Sequence, residues 1–307
     1  MAEGKAQADM RLHPSGAPLK NPDEKTGKRT FLLIVPDIVN PFYTCMAREA
    51  RRIAANRGDD VLIYEPQNGE CGTVAVAKAA RLRADGILFG SGDVNPAELA
   101  ALQAGSLPAV CLNAYGRCPL DAVCVQGCTG TYQTVRHLTA LGHTRIAFAG
   151  GARGTQAEQS RIGGYRLALQ EAGIAVHARD VLETGFTWED GYQAGRYFAM
   201  MRPMPTAICC ANDQTALGVL SALQEAGIAV PEEISVTGMD DILYARTSSP
   251  SLTTATNDPA AFAGKGMRLL LERIEGRYTG PPRTWAVSHE LVVRRSTRPP
   301  RMNACIR

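Results

Sequence analysis

Residues 31–43, "FLLIVPDIVNPFY", set five apolar side chains in a row against a short loop holding a carboxylate, an Asn-Pro pair and two adjacent aromatics. An apolar run without polar alternation is the pattern of a strand covered on both faces, as in a parallel sheet, and Pro36 stops it. Beyond the loop, Met46, Ala50, Ile53 and Ala54 recur on one helical face and Gly58 closes that helix. Strand, polar loop and helix form the unit from which the rest of the chain is read.

The unit recurs. Strands are predicted at 31–35, 61–64, 86–90, 109–112 and 122–125, and a second series at 145–149, 180–184, 206–210 and 234–237. Helix signals lie between them: "NPAE" at 95–98 supplies an Asn cap, a Pro at the first helical position and a Glu three residues after the cap, and "TWED" at 187–190 opens a similar start. "QEAGI" occurs at 170–174 and again at 224–228, each a helix ended by Gly. "TFLLIVPD" is echoed by "TRIAFAGG", "DGILFGS" by "TAICCAND" and "AVCLNA" by "ISVTGMDD", in the same order and about 115 to 125 residues apart, a length that suits one α/β lobe. The expected architecture is two lobes of one design, with a single large sheet as the alternative.

Bulk properties narrow the function classes. The chain has 307 residues, 45% of them hydrophobic and 21% charged, enough for two ordinary cores. A formal net charge of +3 gives no basic face that would announce nucleic acid. The first 28 residues mix Pro, Gly and charge without apolar period and hold neither a signal-like nor a membrane-spanning run. They are expected to be a flexible segment, and the protein cytoplasmic with no membrane partner. Nine cysteines, mostly inside apolar runs and without C-x-x-C spacing, point to a reducing compartment. Cys118, Cys124 and Cys128 cluster locally, but no histidine or second cysteine pair completes a metal site, and they read as small buried thiols. No metal or cofactor is expected.

In open parallel sheets, ligands bind beyond the carboxyl ends of the strands. The unusual polar and aromatic residues fall there: Asp37, Asn40, Phe42 and Tyr43 after the first strand, Ser91 after the third, Asn113 after the fourth, then Arg161, Phe186, Asn212 with Asp213, and Asp240 with Asp241. Carboxylate, amide and guanidinium groups are planar forks that engage two neighbouring hydroxyls at once, and aromatic rings cover the C–H faces of a sugar ring. Each residue also has a plainer reading. Asn40 and Asp213 suit turns and helix caps, Arg161 a solvated helix face, Asp240 a loop anchor, and Phe42 and Tyr43 core packing.

"IVPDIVNPFY", "LGHTRIAFAGG", "RIGGYRLALQEAGI", "PTAICCANDQTALGVLSALQEAGIAVPEEISVTGMDD", "SPSLTT" and "ELVVRRSTRPP" together resemble the effector-binding core of the LacI/GalR family of bacterial transcription regulators, from about Arg29 to Pro300. The resemblance implies an α/β fold of the periplasmic-binding-protein type, two Rossmann-like lobes with parallel sheets joined by three crossovers. It implies a flexible segment 1–28, an N-terminal lobe of 29–127 with 256–282, a C-terminal lobe of 128–255 with 283–298, and a tail 299–307. It places ligand contacts on Asn40, Phe42, Tyr43, Arg161, Phe186, Asn212 and Asp240, and sets Asn113 where relatives often carry Asp. The implied partners are a small sugar-like effector and a second copy of the chain. Operator DNA would be reached only through a helix-turn-helix headpiece, which residues 1–28 do not encode.

The implied mechanism is conformational coupling without chemistry: an effector that bridges both lobes favours the closed arrangement. The alternative on the same fold is a solute-binding protein of a sugar transporter, which needs a secretion signal. An enzyme is not expected, since no strand is followed by G-x-G-x-x-G or a P-loop and "GGARG" at 150–154 has neither spacing. No catalytic set stands out among the histidines at 13, 137, 143, 177 and 289, and His143, after Gly142, reads as a helix-end cap.

Overall fold

The structure is a computed structural model and describes residues 27–66, 72–116, 118–125, 129–151 and 154–301. The opening apolar run forms β1 (Thr30–Ile34), in which Phe31, Leu32, Leu33 and Ile34 are all buried because both faces of the strand are covered. It pairs in parallel with β2 (Asp60–Tyr64) on one side and β3 (Gly86–Phe89) on the other. Next come β4 (Ala109–Ala114) and β5 (Asp121–Val125), and the sheet is completed by a strand from much later in the chain.

Between β1 and β2 runs α1 (Pro41–Ala55), where Asn40 Oδ1 accepts from Phe42 N at 3.0 Å and Pro41 takes the first turn. Its buried side, Phe42, Met46, Ala47, Ala50 and Ala54, matches the periodicity read from the sequence. The box expected at "NPAE" is formed at the start of α3 (Pro96–Gly105), and Thr187 and Asp190 cap α6 (Trp188–Met200) reciprocally. An α2 (Gly72–Arg81) lies between β2 and β3, and α4 (Thr129–Ala140) follows β5.

The second sheet repeats the design with β6 (Ile146–Ala149), β7 (Val181–Leu182), β8 (Ala207–Cys210), β9 (Ser235–Asp240) and β10 (Thr253–Thr256). Its connections include α5 (Gln156–Glu171), α7 (Asp213–Glu225) and the short α8 (Leu243–Thr247). A single sheet is thereby excluded: with the late strands β11 (Thr284–Val287) and β12 (Leu291–Val292), the strand orders are β11-β5-β4-β3-β1-β2 and β12-β10-β9-β8-β6-β7. The strand expected at 180–184 shortens to two residues at the sheet edge, where one neighbour supports it.

After β10 the chain returns to the first lobe as α9 (Pro259–Ile274), started by Asp258 Oδ1, which accepts from both Ala260 N and Ala261 N. It continues as β11 (Thr284–Val287), parallel to β5, before β12 (Leu291–Val292) pairs antiparallel with β10. This corrects the boundary expected between 282 and 283, because the last crossing lies between Val287 and Leu291. Asp121 explains why. Its carboxylate, almost fully buried, accepts from Arg273 Nη2 at 2.7 Å, Arg283 Nη2 at 2.9 Å and Arg283 N at 2.7 Å, which holds the segment entering β11 against β5. The boundary expected at 127/128 lies outside the described residues.

Helices α6 and α7 pack at unusually short range. A Cβ on Gly191 would sit 2.0 Å from Thr215 O, and one on Gly218 2.1 Å from Trp188 O, so only bare glycines allow the approach. The close pair brings the start of α6, with Phe186 just before it, beside the start of α7, with Asn212 at its cap. His143 closes the end of α4 as expected, its N–H donating to Leu138 O at 3.1 Å after Gly142, and its buried ring also bonds Thr206 Oγ1 at 2.9 Å and Arg298 O at 2.8 Å, tethering the C-terminal segment.

Candidate functional site

The carboxyl ends of the two sheets face each other across a cavity of about 320 Å³. Of the side chains singled out from the sequence, Asn40, Phe42, Tyr43, Ser91 and Asn113 line it from the first lobe and Arg161, Phe186, Asn212 and Asp240 from the second, whereas Asp213 and Asp241 do not. Asp37, Asp93 and Tyr115 complete the first-lobe side. The opening loop is thus a wall of the cavity. Asp37 Oδ1 accepts from Val39 N at 2.8 Å and Asn40 N at 3.3 Å, fixing the turn that delivers Asn40 and the two aromatics.

Arg161, in the second turn of α5, is the centre of the arrangement. It is buried; Nη1 donates to Ala211 O at 2.7 Å and Nη2 to Tyr115 Oη at 3.0 Å, a bond that links the lobes. Its guanidinium carbon lies 5.1 Å from the Phe186 ring centroid and 5.9 Å from that of Tyr115, so aromatic faces flank the cation. Arg161 Nη2 stands 4.0 Å from Asp240 Oδ1, an ion pair too long for a direct hydrogen bond. Burial works against the charge on Arg161, but Tyr115 and Asp240 outweigh it and hold the guanidinium protonated above its ordinary value. The solvated-helix reading of Arg161 does not fit this burial.

Asp240 ends β9 with φ at 119°, and Asn113 lies in β4 with φ at 52°, both in the left-handed region that a side chain rarely occupies. At Asn113 the pairing of β4 with β5 slips by a residue between Leu112 and Ala114, which turns the amide out of the sheet alternation. Such strain is held where the surroundings over-determine it. Asn257, on the crossing after β10, donates from Nδ2 to Asp240 Oδ1 at 3.1 Å and lies 3.5 Å from Asn113 Oδ1, tying one residue of each lobe to the connection between them. Burial pushes the Asp240 carboxyl up to about 6, against the opposing pull of Arg161 and Asn257.

The polar residues divide by role. Asn212 caps α7, with Oδ1 accepting from Thr215 N at 2.8 Å and Nδ2 donating to Phe186 O at 2.9 Å, so the cap role expected of Asp213 falls to its neighbour, whose side chain also faces the cavity. Asp213 turns away; Thr254 Oγ1 and Ile242 N donate to it at 2.6 and 2.9 Å, and burial, with the neighbouring Asp240 charge, pushes its carboxyl up to about 7. Asp241 pairs with Arg246 and Arg294 outside the cavity. Phe42 meets Phe262 and Tyr43 edge-on in the core while lining the cavity, so both readings of that ring apply.

Sequence reading passed over Tyr115, Asp93 and Asn257. Tyr115 follows the predicted end of β4, and an aromatic at a strand end is the signal that would have found it. Asp93 Oδ1 accepts from Gln156 N at 3.0 Å, a second link between lobes. Neither it nor Asn257 carries a local signal, because the role of each depends on the opposite lobe. Among the described residues, no group of His, Cys, Asp or Glu is arranged to hold a metal ion.

Residues 135–297 match the model of a periplasmic binding protein-like domain. Over 285 residues the chain is 32% identical to the HTH-type transcriptional regulator DegA of Bacillus subtilis, covering 89% of this chain and 83% of DegA. It is 31% identical to the HTH-type transcriptional repressor CytR of Escherichia coli, covering 90% and 81%. Among solved structures, a LacI family transcriptional regulator from Enterococcus faecium with bound ribose superposes with a TM-score of 0.79 at 26% identity, covering 88% of this chain and 99% of that one. The complex of the transcriptional regulator CelR with cellobiose superposes at 0.78 and 26%, covering 88% and 85%.

Proposed function

The chain belongs to the LacI family of transcriptional regulators, and from that premise we propose that its cleft senses a neutral, ring-shaped, sugar-like effector whose binding biases DNA binding through a cytoplasmic homodimer. The observation that carries this reading is the pairing of Arg161 and Asp240 across 4.0 Å in an aromatic-walled cavity. A hydroxyl between the two accepts from one fork and donates to the other, where the direct bond is too long to form. Phe42, Tyr43 and Phe186 supply the faces for the ring. The structural relatives with bound ribose and cellobiose support the sugar class. Asp37, Asp93 and Asp240 outnumber Arg161, which already serves Tyr115 and Ala211, and this favours neutral polyols over sugar acids.

Closure follows from differential affinity: a molecule held by both lobes stabilises the arrangement in which Arg161 reaches Tyr115 and Asp93 reaches Gln156. A thermal-shift screen of sugars, sugar acids, polyols and nucleobases tests the class, since a ligand bound only by the native state raises the melting temperature. For a compound that scores, Arg161→Ala or Asp240→Ala is expected to weaken binding by about 1.5–3 kcal/mol, roughly ten- to hundredfold. Full affinity retained in both variants places the site elsewhere.

A further inference from the structure

Two of the crossings between the lobes meet at one buried residue. His289 lies on the last crossing, between β11 and β12, and is 4% exposed. Its ring Nδ1 donates to Thr256 O, where the chain leaves β10 for α9, and its carbonyl accepts from Gln133 Nε2 at 3.2 Å, on α4, the first helix after β5. Beside it Thr256 N donates to Glu290 O at 2.7 Å and Glu290 N to Thr256 Oγ1 at 2.8 Å, so the two crossings are zipped together. Gly130, in the first turn of α4, packs against the ring: a Cβ there would lie 3.3 Å from His289 Cδ2 and 3.0 Å from Met239 Cε. A carbonyl can only accept, so the ring proton sits on Nδ1 and Nε2 is a bare acceptor. Burial, with Arg161 adding to it, opposes a second proton on the ring.

The same ring backs the cleft. His289, Thr131 and Met239 line a narrow space together with Arg161 and, from the first lobe, Tyr115. Among the described residues, Arg161 Nε, Thr131 Oγ1 and His289 Nε2 are buried without a hydrogen-bond partner, two donors and one acceptor around that space. Arg161 enters the cleft from here, with Nη2 donating to Tyr115 Oη of the opposite lobe. We propose that His289 is a positioning residue for the effector site: its Nδ1–H bond to Thr256 O pins two crossings to each other, its carbonyl pins α4 to both, and the pin holds the lobe arrangement in which Arg161 reaches Tyr115 and Gln156 reaches Asp93. His289 does not line the cleft cavity, so replacing it removes no contact to an effector and acts only through the lobes. The pin stands on the geometry of the crossings; its bearing on an effector rests on the function proposed above.

Amide hydrogen exchange, read residue by residue by NMR on the full chain without any effector, tests the pin. Gln156 is the first residue of α5, where an N–H has no partner within the helix, and it donates to Asp93 Oδ1 across the lobes at 3.0 Å, so its protection reports their approach. His289→Ala is expected to speed exchange at Gln156 roughly tenfold, the worth of one buried hydrogen bond, while exchange in β3 and β8 stays as in the parent chain. His289→Asn, whose Nδ2 stands where the ring Nδ1 stood, is expected to restore protection. His289→Gln, whose amide reaches the position of Nε2 instead, is not. Gln133→Leu removes the other bond and keeps the ring; a smaller loss at Gln156 is expected, and this variant carries the test if His289→Ala does not fold. Protection at Gln156 unchanged in both His289→Ala and Gln133→Leu, or lost alike in the Asn and Gln variants, overturns the pin. If no sugar raises the melting temperature of the parent chain, the sugar reading falls, and the exchange rates still decide the pin.

Discussion

At Asp240 burial and function act in opposite directions. Its carboxyl, pushed up to about 6, is largely protonated at pH 5 and ionised at pH 7. An ionised carboxylate offers acceptors to two donors, so effector affinity is expected to fall by up to about tenfold per pH unit below 6, and Asp240→Asn to flatten that profile. Stability of the free protein runs the other way. A carboxyl whose folded value is raised stabilises the native state most below its unfolded value of about 3.9, and that contribution is lost as pH rises through the folded value. Asp213, pushed up to about 7, adds to the same loss. Urea melts at pH 4 to 8 check the second trend and titration calorimetry the first; both quantities rising together with pH would remove Asp240 from the role given to it. The difference between these neighbouring carboxylates was not legible in the sequence. "ANDQ" and "GMDD" place Asp213 and Asp240 alike at strand ends, yet the hydroxyl of Thr254, on another strand, turns Asp213 away from the cleft.

At the scale of elements, most strands were legible because buried parallel strands read as continuous apolar runs, and helix starts because their capping atoms are local in sequence. What escaped was the part that depends on distant partners. β11 begins after "GPPR" and buries only Val287, so nothing in its own composition assigns it to the first sheet; Asp121, more than 160 residues earlier, does so. The α6–α7 contact is similar, since the glycines of "EDGYQAG" and "TALGVL" read singly as weak helix positions. Together they admit backbone to backbone. Gly191→Ala places a methyl 2.0 Å from Thr215 O, and the helices must separate to accept it. Overpacking of this kind costs about 1–3 kcal/mol or more, against a gain of about 1 kcal/mol from helix propensity. A net loss of stability in chemical denaturation is expected, whereas Gly163→Ala, on α5 with open space around it, is expected to be neutral or stabilising. Equal effects in the two variants would show that α6 and α7 do not meet through these glycines.

At the scale of the whole molecule, the described residues leave an edge of the first lobe uncovered. β2 ends its sheet with Leu62 and Ile63 each 40% exposed, and Val39, in the loop before α1, is 79% exposed. Beside them lies a groove floored by Ile38 and Ala47 and rimmed by Arg48, Arg51 and Arg52 of α1. Unpaired edges and exposed apolar side chains are usually blunted in a monomer, so this face suits a second copy of the chain under the dimeric function proposed above. A homodimer through it would join the lobe that contains Asn113 and Tyr115 to its twin, and leave the second lobe free to rotate over an effector. The double variant Val39→Asp/Leu62→Asp alters only exposed positions, and melting should be unchanged. Burying two carboxylates per copy in a self-complementary face is expected to weaken association at least tenfold, because each apolar side chain so buried is worth about 1.5–3 kcal/mol. Sedimentation equilibrium reads the result directly. A shift from twice the chain mass to one chain mass places the contact on this edge, and an unshifted dimer moves it to another surface, of which exposed Leu243 and Tyr244 on α8 are the next to substitute.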